Sequence, residues 1–448
     1  MIKKYFKSSN DRTQKANLNN VISLFFRGGS IFLTFILVPL TLDYIKPDGY
    51  GIWITLSSIV GWVAMFDIGI ANGLKNKLSE CLAVQNYEKA RMFVSTTYVL
   101  IGMIAFSLIC VYFIFYQFVS WQNVFNSRFI PEYKLRNVVS IVAVLFLLKF
   151  VTDIINVVSA AFQMVSVSSI LLFISNLGIT LSVWILSKTT RADMILLAFT
   201  LSFIPFFVSV IASVYLFKYY FKAVKPSFKY LNFKESKSIV RLGSQFFILQ
   251  IMGLIIFQTD NILIAQFFNL TEVTKFNVAF KYYSIISVFF SVVLMPYWTA
   301  FTEAYLKKDF RWIETTMKRL KFYWIASVFL LGILFLIRDW VFSIWLGNII
   351  KVPINLSISI CAYIAVINWN SILGNFLNGI GKIKVQIIVS LLMGILNISL
   401  SFLFVCKFKM GVYAVTLSNF LSLMIGAILC YVQYKKIINN NASGIWNK

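Results

Sequence analysis

The sequence predicts an all-α integral membrane protein of about twelve transmembrane helices, arranged as two six-helix lobes with both termini cytoplasmic. Three observations predict it. Of 448 residues, 59% are hydrophobic and only 13% are charged, and mean hydropathy is +0.82. Soluble domains carry about 25% charged residues, so a chain this apolar is solvated by lipid rather than folded around a large core. The apolar residues fall in runs long enough to cross a bilayer. The formal charge of +25 collects in the loops on one side of those runs.

A span needs about 20 predominantly apolar residues. Such runs occupy 20–42, 51–74, 92–118, 138–163, 167–187, 194–218, 243–268, 277–300, 322–337, 356–379, 384–405 and 411–433. The ninth is the shortest, and Arg338 and Asp339 could carry it on to Leu346. Residues 1–19 are polar and basic, and the apolar run behind them is too long for a signal h-region, so no cleaved signal is expected. Pro39, Pro205 and Pro296 lie in or at the ends of spans and are expected to kink or terminate them.

Loop charge sets the orientation. Lys3, Lys4, Lys7, Arg12 and Lys15 precede the first span; Lys75, Lys77, Lys89 and Arg91 follow the second. Lys222, Lys225, Lys229, Lys234, Lys237 and Arg241 follow the sixth, and Lys307, Lys308, Arg311, Lys318, Arg319 and Lys321 follow the eighth. Lys382 and Lys384, then Lys435 and Lys436, complete the same side. The opposite loops nearly cancel, as with Asp43, Lys46 and Asp48. The positive-inside rule puts the basic side, and both termini, in the cytoplasm. The same rule accounts for the net charge without nucleic acid.

The longest linker lies near the middle and divides the spans six and six. The expected organisation is an N-terminal lobe at 1–220, a cytoplasmic linker at 221–242, a C-terminal lobe at 243–434 and a cytoplasmic tail at 435–448. Six is even, so both halves enter the membrane in the same direction, as parallel repeats do.

Several chemistries are excluded. No G-x-x-x-x-G-K-[ST] loop is present, so the chain is not an ATP-driven pump; energy must come from a gradient or from the substrate's own concentration difference. There is no histidine, hence no imidazole ligand or proton shuttle, and proton coupling would fall to carboxylates. The five cysteines lie in or beside apolar runs without metal-ligand spacing and read as small hydrophobes. No metal or cofactor is expected.

Charges deep in lipid cost about 2.5–3.5 kcal/mol on insertion scales and mark cavities or partners. Six qualify. Lys149 lies close to the midplane of the fourth span, with Asp153 at i+4 on the same face; the two are either a self-neutralising pair that lets the span insert or part of a wet central cavity. Arg27, followed by the small residues Gly28, Gly29 and Ser30, either snorkels to the headgroups or binds an anion at the inner mouth. Lys281, near the outer end of the eighth span beside Tyr282 and Tyr283, admits the same two readings. Asp260, within Gln258-Thr259-Asp260-Asn261, is expected to face the cavity between the lobes or the other lobe. Asp67 reads as a structural cap or an ion-coupling carboxylate. Asn368, Asn370, Ser371, Asn375 and Asn378 place a polar stripe on the tenth span, suited to a hydrogen-bonded helix seam or to a hydroxyl-rich ligand.

Several stretches carry a resemblance. They are Gly49-Tyr50-Gly51-Ile52-Trp53; Asp67-Ile68-Gly69-Ile70-Ala71-Asn72-Gly73-Leu74 with Asn76-Lys77-Leu78; Val94-Ser95-Thr96-Thr97-Tyr98; and Gln258-Thr259-Asp260-Asn261-Ile262-Leu263-Ile264-Ala265. On these the chain resembles the Wzx-type polysaccharide biosynthesis flippases of the multidrug/oligosaccharidyl-lipid/polysaccharide (MOP, MATE-like) superfamily, over essentially its whole length. The resemblance implies a MATE-like two-lobe bundle whose central cavity opens to either side in turn. It implies as substrate an undecaprenyl-pyrophosphate-linked oligosaccharide, moved across the bacterial inner membrane for O-antigen, capsule or exopolysaccharide synthesis.

The anion-binding candidates for such a headgroup are Arg27, Lys149 and Lys281, since a pyrophosphate at depth needs charge-assisted partners. Asp153, Asp260, Asp67 and Asn370 are the candidates for ion coupling or cavity polarity. The expected partners are the glycolipid, the bilayer and, as a candidate, the pathway's polymerase; nucleic acid is not one. Two alternatives stay open. One is a cation or drug antiporter of the same fold, which would prefer a more acidic cavity. The other is a membrane polymerase or glycosyltransferase, against which the short outer loop at 119–137, with Glu132 its one acid, argues. The expectation is therefore a transporter without covalent chemistry.

Overall fold

The computed structural model describes residues 12–63, 70–128, 130–164, 166–233, 259–294, 297–347 and 349–447. Among them every regular element is helical, as the apolar runs require, since lipid offers no partner to an open backbone. Ten helices are long and apolar enough to cross a membrane. The chain is a multi-pass membrane protein.

The chain divides into two compact units, Met1–Gln250 and Ile251–Lys448. The first holds α1 (Arg12–Val63), α2 (Ile70–Ala83), α3 (Tyr87–Phe115), the short α4 (Trp121–Val124), α5 (Glu132–Thr152), α6 (Ile154–Ala161), α7 (Ser166–Thr189) and α8 (Met194–Tyr219). The second holds residues 259–267, α9 (Leu270–Leu294), α10 (Tyr297–Leu306), α11 (Phe310–Leu336), α12 (Arg338–Leu346), α13 (Ile354–Gly379), α14 (Lys384–Phe402) and α15 (Tyr413–Ile438).

The count of ten and the expected twelve differ for two reasons. The first apolar helix, Val21–Trp62, is two expected spans joined through Lys46, whose φ of 63° and ψ of 169° are not helical. Pro47 follows, and a residue before proline is pushed out of the α region. The seventh expected span, 243–268, falls mostly outside the described residues. The ninth is a separate matter: α11 starts at Phe310, twelve residues early, and α12 restarts at Arg338. Pro39 and Pro205 lie inside continuous helices rather than ending them. Pro296 lies outside the described residues. All five cysteines are free.

The two units share a local grammar. In the first, α2 ends in a turn with Gln85 at φ 56°, and the Asn86 side chain caps α3 by accepting from the Lys89 backbone N–H at 3.0 Å. In the second, α10 ends in a turn with Lys308 at φ 56°, and the Asp309 side chain caps α11 by accepting from the Trp312 N–H at 3.0 Å. The backbone pairings around them match, Asn86 N to Cys81 O and Asp309 N to Ala304 O, both at 2.9 Å. Gln163 at φ 61° after α6 has the same counterpart in Gly381 at φ 72° after α13. Each pair is separated by about 220 residues, as a parallel repeat demands. Side-chain identity hardly survives in these turns; the hydrogen-bond geometry does.

Each unit has its own packed interior. In the first, Leu74, Leu78, Phe93, Val94, Ile155 and Val158 from α2, α3 and α6 form one buried cluster. In the second, Phe301, Ile313, Leu320, Ile372, Leu373 and Phe376 join α10, α11 and α13.

Candidate functional site

The charge pair of the fourth span lies at a break in its helix. α5 ends at Thr152 and α6 begins at Ile154, with Asp153 between them at φ −67° and ψ −10°. Lys149 lies seventeen residues beyond Glu132, about 25 Å along the helix at 1.5 Å per residue, near the middle of the 30-residue span Glu132–Ala161. The Lys149 ammonium forms an ion pair with Asp153 Oδ2. Asp153 Oδ1 accepts from Ser209 Oγ of α8 at 2.9 Å and from Asn156 Nδ2 at 3.4 Å. Ser213 Oγ donates to the Thr152 carbonyl at 3.3 Å, beside the same break. The side chains of Lys149 and Asp153 keep 30% and 34% of their exposure. The pair is therefore neutralised and hydrogen-bonded, yet still open enough to exchange partners.

Arg27 is exposed, and its Nε donates to Ser169 Oγ of α7 at 3.2 Å. It opens a seam between α1 and α7. A Cβ added to Gly29 would stand 2.7 Å from the Phe173 ring, so the helices approach closely where the small residues fall. Ser30 Oγ, one residue on, accepts from Asn176 Nδ2 at 2.6 Å. Among the described residues no hydrogen bond or ion pair links Arg27 to the Lys149–Asp153 pair.

The second unit carries a different kind of site. Asp260 is 2% exposed, and its Oδ2 accepts from Asn419 Nδ2 of α15 at 2.6 Å. Asn419 Oδ1 accepts in turn from Asn397 Nδ2 of α14. Three elements thus meet in an Asp–Asn–Asn chain. Asp260 Oδ1 and Asn397 Oδ1 are buried and have no hydrogen-bond partner among the described residues. Among the described residues no Lys or Arg forms an ion pair with Asp260. Buried carboxylates are ordinarily paired, protonated or bound to a cation. Two unmatched acceptor oxygens on one polar chain suit a small cation or a transferable proton. Within its own unit, Asp260 is buried and tied to α15, and through Asn419 to α14.

Asn397 and Asn419 were missed by the sequence reading. Their signal was present, an asparagine in the middle of each of two otherwise apolar runs, but nothing in spacing joins positions 22 and 159 residues apart.

The other candidates are less convergent. Lys281 is half-buried on α9, in the unit that lacks Arg27 and Lys149. Asn370 donates its amide to the Leu423 carbonyl at 3.0 Å, which binds α13 to α15 as a seam residue does. Asn375 donates back to its own helix at Ser371 O. Asn368, 1% exposed, has neither side-chain atom partnered among the described residues. Asp67 lies outside the described residues.

Comparison with known proteins gives this arrangement a context. Residues 18–301 match the family described as polysaccharide biosynthesis protein. The chain belongs to this family. A relative from Yersinia pseudotuberculosis, named for O-antigen export, is 23% identical over 360 residues, covering 79% of this chain and 81% of its own. Another, from Salmonella typhi and named for O-antigen transport, is 21% identical over 357 residues, covering 78% and 79%. Among solved structures, an inward-facing MATE-family multidrug resistance transporter of the MOP superfamily superposes with a TM-score of 0.79 at 12% identity, covering 94% of this chain and 98% of its own. The lipid II flippase MurJ, inward closed, gives 0.67 at 16% identity, covering 93% and 87%. This polysaccharide biosynthesis protein thus has a MATE-like fold, as the resemblance of its motifs implied.

Proposed function

We propose that the chain is a flippase that carries an undecaprenyl-pyrophosphate-linked oligosaccharide from the cytoplasmic to the outer leaflet of the bacterial inner membrane. A cation–carboxylate pair in mid-span, in a member of a polysaccharide biosynthesis family, is the observation that carries the reading. A pyrophosphate crossing the bilayer needs charge-assisted partners at depth. Lys149 can supply one if the anion displaces Asp153, which Ser209 and Asn156 continue to solvate. Arg27, near the basic end of α1, would meet the same anion earlier, and Lys281 would serve the second lobe.

Transport proceeds by rocking of a lobe at 1–220 against a lobe at 243–434 about the linker at 221–242, with both termini cytoplasmic. The lipid tail stays in the bilayer while the glycan passes through the cavity. Asp260 is the coupling carboxylate: its uptake and release of a cation or proton changes the Asn419–Asn397 chain, and with it the packing of α14 and α15. No covalent step is needed, and the reading is of a transporter rather than an enzyme.

The test is the leaflet distribution of lipid-linked oligosaccharide in cells with and without the gene. Inner-leaflet accumulation on deletion, relieved by re-expression, is the expected result. Unchanged distribution with altered dye efflux would instead indicate an antiporter, and outer-leaflet accumulation of unpolymerised units an enzyme.

A further inference from the structure

The segment that follows α8 is clamped to the first turns of α3. Arg91 Nε donates to the Lys225 carbonyl at 2.8 Å, and its guanidinium lies 4.4 Å over the Tyr230 ring. Ser95 Oγ accepts from the Ser227 N–H at 3.0 Å, and Thr96 Oγ1 from the Asn232 N–H at 3.2 Å. Ser95 and Thr96 of the third family stretch therefore hold backbone, not substrate. The clamped segment displays Lys222, Lys225 and Lys229 together with Phe228, which is 83% exposed. A loop free to rearrange would hide such a ring; this one is pinned on either side of it.

Between the segment and α3 runs a groove of about 390 Å³, lined by Asn86, Glu88, Lys89, Met92 and residues 229–232. Neither Lys89 nor Lys229 forms an ion pair among the described residues. Glu88 offsets one of the two charges, and Lys222 and Lys225 on the same segment restore the excess. Met92 opens the apolar stretch of the span Tyr87–Phe115, so the groove lies at the height where α3 enters the hydrocarbon boundary. Cations at headgroup level with an aromatic ring beside them are the composition of an interfacial lipid contact.

From this arrangement we infer that the groove is a headgroup site for an anionic glycerophospholipid. The phosphate lies between Lys89 and Lys229, and Phe228 inserts at the acyl boundary. The site is separate from the mid-span charges and does not depend on what the chain transports.

The full chain, purified into nanodiscs of mixed phosphatidylglycerol and phosphatidylcholine, tests it by the lipid retained in native mass spectrometry. The wild-type chain should retain phosphatidylglycerol in preference. K89Q/K229Q should lose that preference by about fivefold for each lysine, and Phe228→Ser should shorten retention of both lipids. All three positions are exposed, so the fold is not at stake. Equal retention by the wild-type chain and K89Q/K229Q would overturn the site. Displacement of the lipid by soluble glycerol phosphate at equal concentration would overturn the lipid assignment in favour of a free phosphate.

Discussion

Asn419 donates its side-chain amide to the Asp260 carboxylate at 2.6 Å, and this contact joins a segment at the head of the second unit to α15. Its other end, Asn419 Oδ1, is held by Asn397. The orientation of one buried carboxylate is thus set by two helices that have no charge of their own at that depth.

Removing the carboxylate's charge should uncouple transport without unfolding the protein. Asp260→Asn keeps the shape and one acceptor oxygen for Asn419 Nδ2, so thermal stability in detergent should change little. Flipping driven by an imposed ion gradient should fall about tenfold or more, as hydrogen bonds to charged groups are worth roughly 1.5–3 kcal/mol. Gradient-driven flipping at the wild-type rate would remove Asp260 from the mechanism.

Removing the carboxylate's partner should have the opposite profile. Asn419→Ala leaves Asp260 buried with no protein donor and should cost about 1–3 kcal/mol, read as a lowered melting temperature. Asn397→Ala should cost less, since Asp260 keeps its bond. In the double variant Asp260→Asn with Asn419→Ala the penalties should fall short of their sum.

The Lys149–Asp153 pair separates structure from function. Lys149→Ala strands a carboxylate in mid-span and should lower folded yield, though by less than the ~3–5 kcal/mol lost when a fully buried pair is broken. Lys149→Met with Asp153→Leu removes both charges and should restore yield while transport stays lost. Wild-type transport by that double variant would reduce the pair to an insertion device.

Two adjacent glycines should differ sharply. Gly29→Val would place atoms against Phe173, 2.7 Å from even a Cβ, and should cost about 1–3 kcal/mol as overpacking does. Gly28 has nothing within 4 Å of an added Cβ, so Gly28→Ala should be neutral or gain up to ~1 kcal/mol of helix propensity. Thermal unfolding of the two variants decides it.

Much of this was legible in the chain because the bilayer imposes a single period and length. Lys149 and Asp153 pair because i and i+4 share a helix face, and the small residues Gly28, Gly29 and Ser30 permit the close helix approach found against α7. What could not be read was long-range or conformational. The break at Asp153 leaves no proline or glycine signal. Ser209, which holds that carboxylate, comes from 56 residues away. Asp260 stood out as a charge, but Asn397 and Asn419 did not, because a lone asparagine in an apolar run looks the same whether it binds a helix neighbour or completes a site. The repeat was visible only as a six-and-six division; the matching turns at Gln85 and Lys308 are written in backbone geometry, to which side-chain identity is nearly indifferent.

The most direct test of the central claim is flipping of a fluorescent undecaprenyl-pyrophosphate-linked oligosaccharide by the purified chain in proteoliposomes, followed by quenching from one side only. The protected fraction should equilibrate with the wild-type chain, and do so at least tenfold more slowly, on the order of one lost charge-assisted contact, with Lys149→Met/Asp153→Leu. A wild-type chain that leaves the protected fraction as it is in protein-free vesicles would contradict it.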